Sequence, residues 1–392
     1  MACAPTPPAK EPEPPPFCVP LPAPVAPVTP TPPSDYRGRL QPASWLDLPD
    51  WGKESFREAH TAFLRGCPVL ETQENWKRAC EAAAKLAPTA TEREIGAFFE
   101  TNFDPHQVIN ADETNSGLVT GYYEPLIKGS LVRTPRYRYP IYGPPQDMLI
   151  IDLSSVYPDL KHRRLRGRVD GNRVVPYFDR ADIEGNAEPL KGLEIAWVED
   201  PVELFFLHIQ GSGQVELESG ELVRVGYADQ NGHPFRSTAR LLIQKGELPV
   251  ERASMQGIKE WAKRNPKKVQ QYLNANPSYV FFKLLPKDLP GPIGTLGVPL
   301  TAERSIAVDQ RVVPLGVPVY LATTWPAAPR SLNRLMVAQD TGGAIAGGVR
   351  VDFYWGFGDA AGNQAGRMKQ QGKMWVLLPK GYVPPAASGT KP

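Results

Sequence analysis

The 392-residue sequence contains no apolar run long enough to span a bilayer as a helix, and no apolar stretch of the signal-peptide kind. Charge of either sign is not in excess: 44 basic and 42 acidic residues leave a formal net charge of +2, which by itself implies no polyanionic partner. Cysteine and histidine are scarce, at four and five residues, and no cysteine pair has the spacing of a zinc site. No metal or other cofactor is therefore expected. Proline is the opposite case, with 44 residues.

Much of that proline lies in residues 1–35, which are dominated by Pro and Ala and have few aromatic or branched apolar side chains. Such a segment buries too little surface to offset chain entropy and its prolines keep it extended, so a disordered spacer is expected. Cys3 stands at its far end. Two readings compete there: an ordinary residue of a tail, or the lipid-bearing first residue of a bacterial lipoprotein whose signal sequence a start codon has replaced. Cys18 lies in the same spacer, where nothing suggests a role. Cys67 and Cys80 flank Pro68 and a helical pattern around Trp76. Their separation suits a small disulfide-closed loop in an oxidising compartment, or equally two buried thiols, because spacing does not establish bond geometry.

The chain is long enough for two domains and a substantial core. Helical periodicity appears over 54–65 and 74–86, and Thr91-Glu92-Arg93-Glu94 forms a capping box opening a third helix that presents Ile95, Phe98, Phe99 and Phe103. From 117 to about 236 the pattern shifts to short runs at 117–123, 148–153, 195–198, 203–210, 214–217 and 222–227, with Asp170-Gly171-Asn172 as one intervening turn. That pattern predicts antiparallel strands with tight hairpins. Helices are expected again at 237–245 and between 251 and 274. Residues 290–378 read as several short strands with Gly and Pro turns and no long helix, which suggests a small closed barrel. The expected class is mainly β with accessory α.

Two segments carry candidate chemistry. Lys161-His162-Arg163-Arg164-Leu165-Arg166-Gly167-Arg168 is basic, but no recognition helix, zinc spacing or aromatic RNA-binding signature accompanies it. A solvated loop or a patch facing an anionic polymer fits better than nucleic acid. The richer segment is residues 335–356. Asp340 ends an apolar run and precedes glycines, while Asp352 lies in a strand whose alternation puts Val349, Val351, Phe353 and Trp355 on one face and Arg350, Asp352 and Tyr354 on the other. A carboxyl between an arginine and a tyrosine, on a strand anchored by its opposite face, is a rigidly held acid or base. His208 and His233 have no partner spacing for a metal or nucleophile and read as hydrogen-bonded structural residues.

Several motifs, in order, resemble the lytic murein transglycosylase A family, outer-membrane lipoproteins of Gram-negative bacteria that cut peptidoglycan. They are Thr120-Gly121-Tyr122-Tyr123-Glu124-Pro125, FFLHIQGSGQVEL from Phe205, RVGYADQNGHPF from Arg224, NPSYVFF from Asn276, AVDQRVVPLGVPVYL from Ala307 and AQDTGGAIAGGVRVDFYWGFG from Ala338. The resemblance implies a double-psi β-barrel domain formed from 36–124 and 284–380, a β-rich domain inserted at 125–283, a glycan groove between them, and a tail at 381–392. It implies that Asp352 is the single acid/base, supported by Asp340 and Asp309, with the muramyl C6 hydroxyl as the attacking group. Thr120, Tyr122, Tyr123, Glu124, Gln210, Tyr227, Asp229 and Tyr354 become candidate sugar contacts by motif membership and chemistry. Arg350 is expected to face the substrate's lactyl or peptide carboxylate. Partners implied are peptidoglycan strands and other cell-wall enzymes, with membrane contact only through a lipid at Cys3 on the periplasmic face of the outer membrane. Two other readings stay open: a lysozyme-like hydrolase with Glu124 as second carboxylate, and a non-catalytic glycan-binding module.

Overall fold

The computed structural model describes residues 36–161, 163–185 and 188–382, so Cys3, Cys18, His162 and residues 383–392 lie outside the described part. The chain runs through β1 (Gly38–Pro42), α1 (Arg57–Leu70), α2 (Glu74–Ala84), α3 (Glu92–Asn102), β2 (Phe103–Asn110) and β3 (Gly117–Glu124). It then leaves this body through β4 (Leu126–Ser130), β5 (Tyr139–Tyr142), β6 (Leu149–Ile151), β7 (Leu165–Asp170), β8 (Arg173–Pro176), α4 (Arg180–Gly185), β9 (Glu194–Val198) and α5 (Pro201–Gln210). The excursion continues with β10 (Ser212–Leu217), β11 (Leu222–Gln230), α6 (Thr238–Gln244), α7 (Met255–Arg264), α8 (Val269–Asn274) and β12 (Val280–Leu284). It ends where β13 (Ser305–Ala307), β14 (Pro318–Thr324), β15 (Ser331–Asp340), β16 (Val351–Phe357), α9 (Gly358–Ala365) and β17 (Lys369–Pro379) rejoin the first strands.

Eight strands form one sheet in the order β1-β2-β17-β14-β15-β13-β16-β3, and an added β17–β3 pairing closes six of them into a ring. Closure removes edges that would otherwise present unpaired backbone groups. Two of its pairings, β13 with β15 and β16 with β3, are parallel. The excursion has its own six-stranded sheet, β12-β11-β10-β4-β9-β5, and a small three-stranded one, β6-β7-β8. Each body has a core of its own. Phe63, Phe99, Phe103, Tyr320 and Phe353 belong to the cluster shared by the ring and α1–α3, whereas Val215, Val225 and Phe282 centre a separate cluster in the larger excursion sheet.

Glu124 ends β3 and is almost fully buried, where Arg224 of β11 ion-pairs with it at 2.9 Å and Gln214 of β10 donates to it at 3.1 Å. Arg224 also donates to the Leu289 carbonyl on the returning segment. One guanidinium thus grips both crossings between ring and excursion, using the fork of donors that arginine alone offers.

Two sequence expectations need correction, one of a strand and one of strand direction. Residues 203–210 are not a strand: Asp200 caps α5 by accepting from the Val202 and Glu203 amides, Pro201 occupies its first turn, and Gly211 closes it at φ 78°. Val202 and all of Leu204–His208 are buried, so the helix lacks the polar stripe that gives a 3.6-residue period. The helices expected between 251 and 274 are α7 and α8, divided where Asn265 precedes Pro266, because the ring of that proline disfavours helical geometry before it. The final segment contains α9, whose glycine-rich sequence is a poor helix former. It is held by packing, with Ala361, Gly362 and Ala365 buried and Gly362 so close to the Tyr123 ring that an added Cβ would lie 2.8 Å away. The expected hairpins β7–β8, turning at Gly171, and β10–β11 appear, as does the capping box of α3, but the strands are not all antiparallel, since β10 pairs in parallel with β4.

Cys67 of α1 and Cys80 of α2 are joined by a disulfide with Cα atoms 5.6 Å apart. A loop closed over a separation of 13 residues stabilises the fold by about 3 kcal/mol through the entropy it removes from the unfolded chain. Replacing both cysteines by alanine is expected to lower denaturant stability by about that amount. An unchanged unfolding midpoint would show that helix packing alone holds the pair together.

Candidate active site

Alternation along β16 sends Val351, Phe353 and Trp355 into the ring's core and leaves Asp352 and Tyr354 on the other face. Neighbouring strands then converge on Asp352. The parallel register with β3 sets Asp352 opposite Thr120 and Tyr354 opposite Tyr122. β13 places Ala307 beside Asp352 on one side and beside Asp340 on the other, so three strands bring two carboxyls into one neighbourhood.

Asp352 accepts a hydrogen bond from the Thr120 hydroxyl at 2.6 Å. Burial pushes its carboxyl up to about 6, against the downward pull of the Thr120 bond and of Arg350, with Asp340 adding a further upward push. The side chain still keeps partial exposure. Asp340 accepts from the Thr295 amide at 3.0 Å, the Thr295 hydroxyl at 2.9 Å, the Thr341 amide at 2.9 Å and the Tyr122 hydroxyl at 3.1 Å. Burial raises its pKa and these four donors oppose the rise. Thr295 was missed by sequence reasoning, being 45 positions from Asp340 with no local signal; Thr341, adjacent to Asp340, was legible as a turn residue only. The Tyr122 and Tyr354 rings meet at 5.2 Å, and burial raises both phenols far above their usual range.

Other candidates sit elsewhere. Asp309 was expected to support Asp352, but Arg311 binds both of its oxygens at 2.8 and 2.7 Å and the Gly347 amide donates to it at 2.8 Å. Burial would raise its pKa, yet those partners outweigh it and hold the carboxylate below its usual value. Asp340, not Asp309, is the carboxylate that acts on Asp352. Arg350 is half-buried, and its Nη1 donates to the Val351 carbonyl at 2.6 Å, to the Thr120 hydroxyl at 3.0 Å and, weakly, to the Leu118 carbonyl at 3.4 Å. Glu124 is the buried joint already described. Asp229 is held by Arg166 of β7 at 2.9 Å, which also absorbs one member of the basic cluster into structure. Arg164 lies over the Tyr227 ring and Arg168 over Phe178.

Tyr123 points to the opposite face of β3, where its hydroxyl meets the Met255 sulfur at 3.1 Å and its amide donates to the Gln210 side chain at 3.0 Å. Both line a cavity of about 220 Å³ with Phe205, Phe206 and Met255, and Asp352 is not among its lining residues. His208 accepts from buried Arg180 at 3.0 Å, and burial with that neighbouring charge holds its pKa well below the usual value; His233 bonds the Tyr177 carbonyl at 2.7 Å. Among the described residues no group of three or more His, Cys, Asp or Glu converges as a metal site, and no helix is long and apolar enough to cross a membrane.

A closed sheet interrupted by a β-rich excursion, with two carboxyls brought together by neighbouring strands, defines the class to which this chain belongs. Residues 118–283 match the MltA specific insert domain and residues 304–378 match the 3D domain. The membrane-bound lytic murein transglycosylase A of Escherichia coli K12 is 32% identical over 281 residues, covering 70% of this chain and 69% of that protein. MltA from Neisseria gonorrhoeae shares the fold at a TM-score of 0.76 and 40% identity, covering 88% of this chain and 93% of that one. E. coli MltA with bound chitohexaose aligns at a TM-score of 0.66 and 27% identity, over 88% and 95% of the two chains. The chain belongs to the membrane-bound lytic murein transglycosylase A family.

The raised pKa of Asp352 has a stability consequence. A carboxyl titrating near 6 when folded and near ~4 when unfolded favours folding fully only below about pH 4, and that contribution is lost as pH rises through about 6. At pH 8 the ionised group costs on the order of 2 to 3 kcal/mol. Asp352→Asn is therefore expected to be more stable than the parent at pH 8 by up to that amount and nearly equal to it at pH 4, by urea denaturation. Equal stability at both pH values would mean that the carboxyl is not perturbed.

Proposed function

We propose that this chain cleaves the β-1,4 bond between N-acetylmuramic acid and N-acetylglucosamine in peptidoglycan, leaving a 1,6-anhydromuramic acid end, with Asp352 as the only acid/base. One observation carries the reading: a single carboxyl, on a rigid strand and raised to about 6, keeps its proton into the range where a general acid is useful. Asp352 gives that proton to the glycosidic oxygen as the C1–O bond breaks. The muramyl C6 hydroxyl then bonds to C1, and its proton returns to the Asp352 carboxylate. The attack is intramolecular, so positioning supplies on the order of 7 to 11 kcal/mol in effective concentration and no water is needed. Asp340 keeps negative charge near the site, which favours the protonated form of Asp352. Thr120 holds the acid through its hydroxyl, and Tyr122 and Tyr354 frame it with ring faces suited to a sugar.

A hydrolytic mechanism needs a second carboxylate beside the bond. Glu124 does not suit that role, being 1% exposed and ion-paired to Arg224. The remaining parts of the reading are consistent with the same function. The six-stranded ring is assigned the double-psi topology on the support of its two parallel pairings. Residues 125–283 form the inserted domain, and the glycan strand lies in a groove between it and the ring, reached by Gln210 and Tyr227. A lipid on Cys3, spaced by the Pro-rich segment, holds the enzyme to the periplasmic face of the outer membrane, where other cell-wall enzymes are its companions.

Digestion of purified sacculi followed by mass spectrometry tests this directly, since a hydrolysed end is heavier than an anhydro end by one water and is reducible with borohydride. The parent should release anhydro ends and Asp352→Asn should release none while still binding glycan. Turnover in Asp352→Asn would remove that residue from the acid role. Asp340→Asn should slow the reaction and move the loss of activity on the basic side to lower pH, because the upward push on Asp352 is gone; an unmoved profile would strike Asp340 from the account.

A further inference from the structure

Arg350 is half-buried, and the bonds made by its Nη1 have a logic that reaches the catalytic proton. A guanidinium only donates. Its Nη1 carries two hydrogens, and the nearest acceptors are the Val351 carbonyl at 2.6 Å and Thr120 Oγ1 at 3.0 Å. Thr120 Oγ1 is therefore an acceptor toward Arg350. A hydroxyl has one hydrogen, and with that side of the oxygen facing an N–H, the hydrogen is directed to Asp352 Oδ1 at 2.6 Å. Oδ1 is in consequence an acceptor in both ionisation states of the acid.

Resting on the proposed function, we infer that Arg350 and Thr120 are positioning residues that confine the transferable proton of Asp352 to Oδ2 and so fix which oxygen meets the glycosidic bond. Without Arg350, the Thr120 hydroxyl is free to rotate and accept a proton from Oδ1, and the acid divides between a productive and an unproductive form. Without the Thr120 hydroxyl, Oδ1 has no donor, and the proton is again free to occupy either oxygen. The pair also acts on acidity: both members pull the Asp352 pKa down against burial, so losing either raises it. Each group facing Asp352 is accounted for. β3 contributes Thr120 and the Tyr122 phenol, β15 contributes Asp340, and β13 presents only apolar Ala307. Its own strand adds Arg350 and Tyr354, and on β17 the exposed Lys369 is in register with Thr120. Of these, Arg350 alone bears a positive charge that acts on the acid.

The test is the pH dependence of anhydro-end release from sacculi by the full chain and by T120S, T120V, R350M and the double variant T120V/R350M. Thr120→Ser retains the hydroxyl and should keep kcat and the basic limb near those of the parent. Thr120→Val and Arg350→Met should each lower kcat, by about twofold where the proton divides evenly between the two oxygens and by more where Oδ1 holds it, with KM little changed, and shift the basic limb to higher pH. The double variant should be much less than multiplicatively impaired, because both changes break one chain of bonds. The inference is overturned if T120S behaves as T120V, if the basic limb stays in place in T120V and R350M, or if R350M changes KM alone, as a residue gripping the substrate would. Failure of the functional reading looks different: the parent itself would give no anhydro ends, or Asp352→Asn would remain active.

Discussion

The parallel register between β3 and β16 is the constraint on which the site depends. It sets Asp352 opposite Thr120, 232 positions away in sequence, and Tyr354 opposite Tyr122. Parallel neighbours need a long connection, and here that connection is the whole inserted body together with three further ring strands. A slip of one residue would turn Thr120 into the core and bring Gly121 to the acid, with no hydroxyl to offer. Register is protected on the buried face, where Val119, Val351 and Phe353 are fully enclosed.

From that register follows an electrostatic balance of opposing terms. Burial favours the neutral acid, while Thr120 and Arg350 favour the ionised one, and the outcome near 6 lies between an ordinary aspartate and one silenced by desolvation. Asp309 illustrates the alternative. It is equally placed in a β-rich wall, but a two-pronged arginine bond keeps it ionised. Burial is the largest influence on both carboxyls, and what differs is the outcome: the partners win at Asp309 and burial wins at Asp352. Glu124 marks a third fate, a buried carboxylate that fastens two bodies through Arg224.

How much of this was legible in the sequence differs from element to element. Period-two alternation from Val349 to Trp355 gave the correct face for Asp352 without any structure. The capping box at Thr91 gave the start of α3. α5 was misread because a helix with its five consecutive residues Leu204–His208 buried leaves no clear polar stripe, although Asp200-Pro201 and Gly211 were usable start and stop signals. α9 left no usable trace, since its glycines suit close packing on β3 and β16 rather than helix propensity. Motif membership named Thr120, Tyr122, Tyr123 and Glu124 alike as sugar contacts, and could not show that the first two bond the acids while the last two point into packing. Nor could it show that Arg350 closes on Thr120, because a strand pattern assigns faces and not side-chain partners.

The central claim is that the fold keeps one carboxyl protonated close to neutrality, and the most direct measurement is a carbon-13 NMR titration of the Asp352 carboxyl in the intact protein. The account predicts a midpoint at about 6. A midpoint near ~4, the value of an unperturbed aspartate, would contradict it and leave the proposed mechanism without its acid.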